Sequence, residues 1–330
     1  LFPDAPALPA PAAPLSLRQR LQDMLRRRPG PQRLDDRVAP KISAEDAHRP
    51  PSVPAQAKEV EAIAPLAETG TGQEPSPPSL VVYCLGAFRV YQDEQLLANW
   101  PSGKGKCILK YMLANRGRPI AKDVLMELFW RGADPDAARN NLNVAIYGLR
   151  QALRVARPDF SHILFQDDHY LLNPSMALWL DVEEFLAHYE SGRELERKGR
   201  AATAVQEYEV AEGLYQGDFL EEDLYEDWPT LQREGLKDSY LAMLERLSRY
   251  YLEGQRYSMC IHLCQKILAS DDCREDAHQR LMRCYCRQGQ PYLALRQYHL
   301  CAETLQTELE VPPMAETLAL YERIRTGAAV

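Results

Sequence analysis

The sequence predicts a mainly α fold with a small β component, in two parts: a compact strand–helix–hairpin domain and then an array of paired helices. Three observations carry that expectation. Between Leu80 and Leu180, β-rich runs give way to three stretches with helical apolar spacing and then to short alternating runs. From Asp181 onward the pattern is helical and repeats every 34 residues. The 330-residue chain carries a net charge of −8, and it is unevenly spread. Residues 1–79 are balanced, residues 80–180 hold 12 basic against 9 acidic side chains, and residues 181–330 hold 17 against 28.

Residues 1–79 are rich in Pro and Ala and read as a tail or linker. Within them Leu15–Arg28, LSLRQRLQDMLRRR, is expected as a short amphipathic helix, solvated or with its arginines against a phosphate or a partner. Order is expected from Leu80. Leu80–Trp100 alternates as short antiparallel strands do, broken by Gly86 and by Gln92-Asp93-Glu94. Cys107–Asn115 lines up Ile108, Leu109, Met112 and Leu113, and Ala121–Trp130 lines up Val124, Leu125, Leu128 and Phe129. A third helix follows over residues 134–154. Two strands, His162–Phe165 and Tyr170–Leu172, flank Gln166-Asp167-Asp168-His169, and a further run covers Leu178–Asp181. Strands, three helices and a hairpin in this order make a winged helix over residues 80–180.

The third helix, DPDAARNNLNVAIYGLRQALR, is the most informative segment. Leu142, Ala145, Ile146, Leu149 and Leu153 share one face. Arg139, Asn143, Tyr147, Arg150 and Arg154 share the other, with Asn140 at its edge. That face holds no carboxylate, whereas a solvated helix usually mixes Glu with Lys. Arg and Asn present the forked donors and acceptors that match guanine and adenine edges in a major groove. Asp134-Pro135-Asp136 suits a helix start: a capping carboxylate, a proline in the first turn and an acid at the positive end of the dipole.

In the helical part, Leu247, Tyr251, Cys260, Cys264 and Ile267 correspond to Leu281, Tyr285, Ala294, Tyr298 and Cys301, each 34 residues on. That is the period of tetratricopeptide repeats. Leu195, Gly199, Ala204, Tyr208 and Ala211 fit the same template, and some 22 extra residues, supplied by YQGDFLEEDLYEDWPTLQRE, separate this copy from the next. An α-helical tetratricopeptide-like repeat domain is therefore expected over residues 181–330. Small residues at Ala204, Cys260 and Ala294 let paired helices approach closely.

Several function classes are disfavoured. No run reaches the length of a membrane span and no secretory leader is evident, so a cytoplasmic protein is expected. The eight cysteines show no CxxC pair or zinc spacing and read as small core residues. Gly103-Lys104-Gly105-Lys106 lacks the full phosphate-loop pattern, and Glu221-Glu222-Asp223 with Glu226 and Asp227 lacks the ligand alternation of a calcium loop. That acidic stretch reads as a solvated loop or a patch answering a basic partner. Nothing in the spacing of the seven histidines and the carboxylates assembles a catalytic set, so no enzyme, cofactor or metal is expected.

ARNNLNVAIYGLRQAL, the Asp181 at the junction, YQGDFL, Trp228, REDAHQRLMRCYCRQGQPYLALRQY and LEVPP follow one another in an order that resembles the SARP-type bacterial transcription activators. In these an OmpR/PhoB-like winged helix is fused to a bacterial transcriptional activation domain, and the resemblance spans roughly Leu80 to Arg325. It implies side-by-side protomers on direct repeats in double-stranded promoter DNA, and recruitment of RNA polymerase. By position it places Arg139, Asn140, Asn143, Tyr147 and Arg150 against DNA and Arg154 near a phosphate. It also places His169 and Tyr170 in the wing, and Ser102, Lys104 and Lys106 where a phosphate is held. Arg139 and Asn140, nearest the helix N-terminus, are the first candidates for base edges. Two departures stand out: Asp167 and Asp168 would repel a backbone at the wing turn, and RGADPD, at the position of a polymerase-contacting loop, owes its acids to that role or to capping alone. A sensor module would lie outside the 330 residues or in a partner protein. The rival reading is a scaffold that binds proteins and no DNA through its repeats.

Overall fold

The computed structural model describes residues 79–154 and 158–330; the Leu15–Arg28 segment and the linker up to residue 78 lie outside them. Strands β1 (Ser79–Tyr83), β2 (Arg89–Gln92) and β3 (Gln95–Leu96) form an antiparallel meander. Asp93 and Glu94 turn β2 into β3 with φ of 45° and 71°, the left-handed pair that suits a two-residue hairpin. Three helices follow: α1 (Gly103–Ala114), α2 (Lys122–Phe129) and α3 (Pro135–Arg154). A second small sheet has the order β4-β6-β5, from Ile120–Ala121, His169–Leu172 and Ile163–Gln166 respectively. The winged-helix order expected from the sequence is thus present. One apolar position departs: Val124 is exposed, while Leu125 and Phe129 are buried as their spacing predicts.

The run after the hairpin forms β7 (Ala177–Leu180), which leaves the wing and pairs parallel to β1, from Ser79↔Ala177 to Val82↔Leu180. Its side-chain pattern marks a strand but does not encode its partner. The chain then enters α4 (Asp181–Arg197), α5 (Ala201–Leu214), α6 (Thr230–Glu253), α7 (Tyr257–Ser270), α8 (Glu275–Arg287), α9 (Pro291–Glu308) and α10 (Ala315–Arg325). The three sequence copies fall on the pairs α4–α5, α6–α7 and α8–α9. Ala204, Cys260 and Ala294 are all buried at the seams, and Tyr208 fills its seam because Gly192 leaves room: a Cβ there would run into the Tyr208 ring.

The turns within the pairs are equivalent too. Gly199, Gln255 and Gly289 occupy matching positions with φ of 71°, 57° and 73°. In each, the next amide donates five residues back, Arg200 to Leu195, Arg256 to Tyr251 and Gln290 to Tyr285, as in a glycine-ended helix. Gln255 alone carries a side chain in this conformation. Replacing it by glycine is expected to stabilise the fold by about 0.5–1 kcal/mol, read as a higher urea midpoint at unchanged slope. A lower midpoint would show that the side chain contributes more than the strain it imposes.

One hydrophobic core runs through both parts. At their junction Asp181 is fully buried, and its carboxylate accepts from the backbone amides of Cys84 (2.9 and 2.8 Å), Leu85 (2.8 Å) and Val182 (2.8 Å). The segment inserted between the first two repeats closes the same junction. Leu220 N–H donates to Cys84 O at 2.8 Å, Gly86 N–H donates to Asp218 O at 3.1 Å, and Trp228 packs edge-on against Tyr111 of α1. Buried Arg233 bonds the carbonyls of Phe219, Leu220 and Asp223 and holds that segment in shape.

Candidate nucleic-acid interface

Asp134 caps α3, its Oδ1 accepting from the amides of Asp136 (3.0 Å) and Ala137 (3.3 Å). Leu142, Ala145, Ile146, Leu149 and Leu153 are buried as their spacing predicts, joined by Ala138 and Ala152. At 100° per residue, the line directly opposite this core runs Asn140, Val144, Tyr147, Gln151. All four are exposed, Val144 at 62% and Tyr147 at 65%. Asn143 and Arg154 are exposed beside that line. Val144 and Gln151 belong to the outermost strip although neither is an Arg or an Asn; helical angle counted from the buried residues identifies both.

The two flanking arginines are less free than their residue type suggests. Arg139 is exposed, but its guanidinium pairs with Asp136 at 2.8 Å. Arg150 is half-buried and donates to Ile163 O of the wing at 3.1 Å, so it fixes the wing against α3.

On the opposite flank α1 meets α3 at two glycines. A Cβ on Gly105 would lie 3.1 Å from Ala145 O, and one on Gly148 would touch Pro101 and Ser102. Ser102 Oγ accepts from the Gly105 amide at 3.2 Å and caps α1. The positive end of α1 therefore sits beside the middle of α3, a geometry suited to a phosphate. Lys104 is exposed there, with its Nζ 5.6 Å from the Phe129 ring centroid. Lys106 turns the other way, to Glu222 at 3.1 Å, and the nearly buried Lys110 meets Asp223 at 2.5 Å. Glu222 and Asp223 of the acidic stretch thus answer a basic surface of the same chain.

His169 and Tyr170 both lie in the wing, on β6. Tyr170 does not point outward: it is buried, paired with Ile120, and its ring lies 4.6 Å from that of Phe165. Alternation along β6 decides this, since His169 and Tyr170 must face opposite sides. His169 is half-buried, with Nδ1 2.6 Å from Asp167 O. Asp167 and Asp168 form the turn with φ of 48° and 60°. Lys122 bonds Asp168 at 2.7 Å, which holds that carboxyl below its ordinary range and leaves an acidic tip. At the base of the wing, burial pushes the His162 pKa down, and its Nε2 lies 3.0 Å from Gln92, whose amide bonds Leu153 O at the end of α3.

Five of the eight cysteines are buried free thiols. Among the described residues one group, Asp271-Asp272-Cys273, brings metal-type donor atoms within 4.8 Å of one another, on a turn outside this surface. No described helix is long and apolar enough to cross a membrane.

Residues 180–325 match the bacterial transcriptional activator domain. The chain is 26% identical over 222 residues, 67% of its length and 71% of theirs, to the transcriptional regulatory protein MoaR1 of Mycobacterium tuberculosis and to that of Mycobacterium bovis. Its fold is similar to that of Mycobacterium tuberculosis EmbR, solved with a low-affinity phosphopeptide, at a TM-score of 0.62 and 20% identity. That likeness covers 77% of this chain and 66% of EmbR. A winged helix joined to a transcriptional activator domain, in a chain with these relatives, defines a transcriptional regulator. In joining these two parts the chain is similar to regulators of the SARP type.

Proposed function

We propose that residues 80–180 bind promoter DNA sequence-specifically, as side-by-side protomers on direct repeats, and that residues 181–330 recruit RNA polymerase. One observation carries the DNA reading. The outward strip of α3 has no carboxylate beyond the first turn, and the amide end of α1 with Lys104 stands at its side. Asn140, Asn143, Val144, Tyr147 and Gln151 face the base edges in this reading, Val144 as an apolar neighbour for a thymine methyl. Arg154, Lys104 and the first amides of α1 hold phosphates, and Arg139 joins them once it exchanges Asp136 for DNA. The wing, with its acidic tip and inward Tyr170, serves chiefly to brace α3 through Arg150.

Recruitment draws support from the inserted segment, where Leu224, Tyr225 and Leu231 are exposed among acids, Tyr225 completely and Leu231 at 87%. Apolar anchors within a charged rim suit a protein partner with a basic surface. The test is selection of sites from random duplex DNA by the purified chain at moderate salt. A direct-repeat motif is expected, with half-sites about one or two turns apart. Absence of any enrichment would overturn the DNA reading in favour of a protein scaffold.

A further inference from the structure

Helix α1 faces two ways. Its first turn abuts α3 through Gly105, while Lys106, Lys110 and Tyr111 all meet the inserted segment of the repeat domain, at Glu222, Asp223 and Trp228. The segment is the firmer side of that contact. It is fixed to the loop after β1 by the Leu220–Cys84 and Asp218–Gly86 backbone bonds, and to α6 by Arg233. Lys106, by contrast, is a long side chain about one turn from the phosphate-suited end of α1. It is only partly buried, and Glu222 is more exposed still.

We propose that Glu222 is a built-in competitor for Lys106, occupying through the repeat domain a cation that would otherwise meet a DNA phosphate, and so setting the affinity of the winged helix for DNA. The inference rests on the DNA reading above and adds to it a regulatory residue outside the winged helix. DNA and Glu222 offer the same lysine alternative anionic partners. Whatever shifts the inserted segment away from α1 then tightens DNA binding, and bound DNA in turn loosens the segment, because the coupling is reciprocal. The neighbouring Lys110 is buried; it also lies 3.5 Å from Glu222, but its closer partner is Asp223 at 2.5 Å, and that deeper pair keeps the junction closed when Lys106 changes partner.

The experiment measures DNA affinity against salt for the full chain and for Glu222→Gln, with Glu221→Gln as a neighbouring charge control. Glu222→Gln should bind about 2–5-fold more tightly, the range an exposed ion pair supplies. Its log–log salt dependence should steepen by about 0.9, the increment for one more phosphate contact. Adding Lys106→Ala to Glu222→Gln should cancel both changes, while Glu221→Gln leaves the slope unaltered. Thermal midpoints equal to that of the unmodified chain confirm that the junction is intact. The proposal is overturned if Glu222→Gln changes neither quantity in a chain that binds DNA, or if its gain survives loss of Lys106. A parent chain that binds no duplex at low salt would instead overturn the DNA reading itself, and this inference with it.

Discussion

Alanine in place of Asp181 is expected to lower stability by about 2–4 kcal/mol at neutral pH. Three buried amides, of Cys84, Leu85 and Val182, lose their acceptor, and each unsatisfied donor costs about 1–3 kcal/mol. Part of that is offset because a buried charge is removed along with its desolvation cost. Burial is the largest influence on this carboxyl and pushes its pKa up to about 6, against the opposing pull of the same three amides. The sign of the pH dependence follows. Between the unfolded value of 3.8 and about 6, the folded chain holds a proton that the unfolded chain has released. This group's contribution to stability therefore falls as pH rises through that window, by roughly 2–3 kcal/mol, and is level above it. Asp181→Asn cannot titrate and should lack the decline. It keeps one acceptor oxygen, so at pH 7 it should lie between the parent and alanine. Urea midpoints of the three proteins from pH 4 to pH 7.5 decide the matter. An alanine variant within about 0.5 kcal/mol of the parent would show that the carboxylate does not hold the two parts together.

Legibility from sequence followed the range of the interaction. The buried face of α3, the Asp134 cap and the three repeat pairs rest on contacts between residues one to five apart, or on an identical local pattern met three times. Periodicity exposes both. Three departures involve partners distant in the chain. β7 looks like any short strand until it meets β1, and Lys106 reads as a phosphate ligand until Glu222, 116 residues away, takes it. The acidic stretch, read as a solvated loop or a patch for a basic partner, finds that partner on α1 of its own chain. Tyr170 is a different case: strict alternation from Ile163 and Leu172 turns it inward, whereas the resemblance implies only its place in the wing. Arg139 and Arg150 point to DNA by residue type, which says what a side chain can bind and not whether Asp136 or Ile163 O already binds it.

That distinction gives the sharpest test of the DNA surface. Asn140→Glu is expected to weaken binding to the selected site about 100-fold or more while leaving the fold intact. The asparagine is exposed, and glutamate is at least as good a helix former and welcome near the positive end of α3. Stability should therefore hold, while the carboxylate forfeits a base contact of about 1–3 kcal/mol and meets the charge of the groove. Arg150→Ala should behave differently. It frees the Ile163 carbonyl and loosens the wing, so its loss of affinity should be accompanied by a lower melting temperature. If α3 served only as a protein-docking face, neither change would alter retention on duplex DNA, and Arg150→Ala would be a stability variant alone. Loss of DNA binding in Asn140→Glu at an unchanged melting temperature separates recognition from folding, because the strip opposite the core contributes nothing to the core itself.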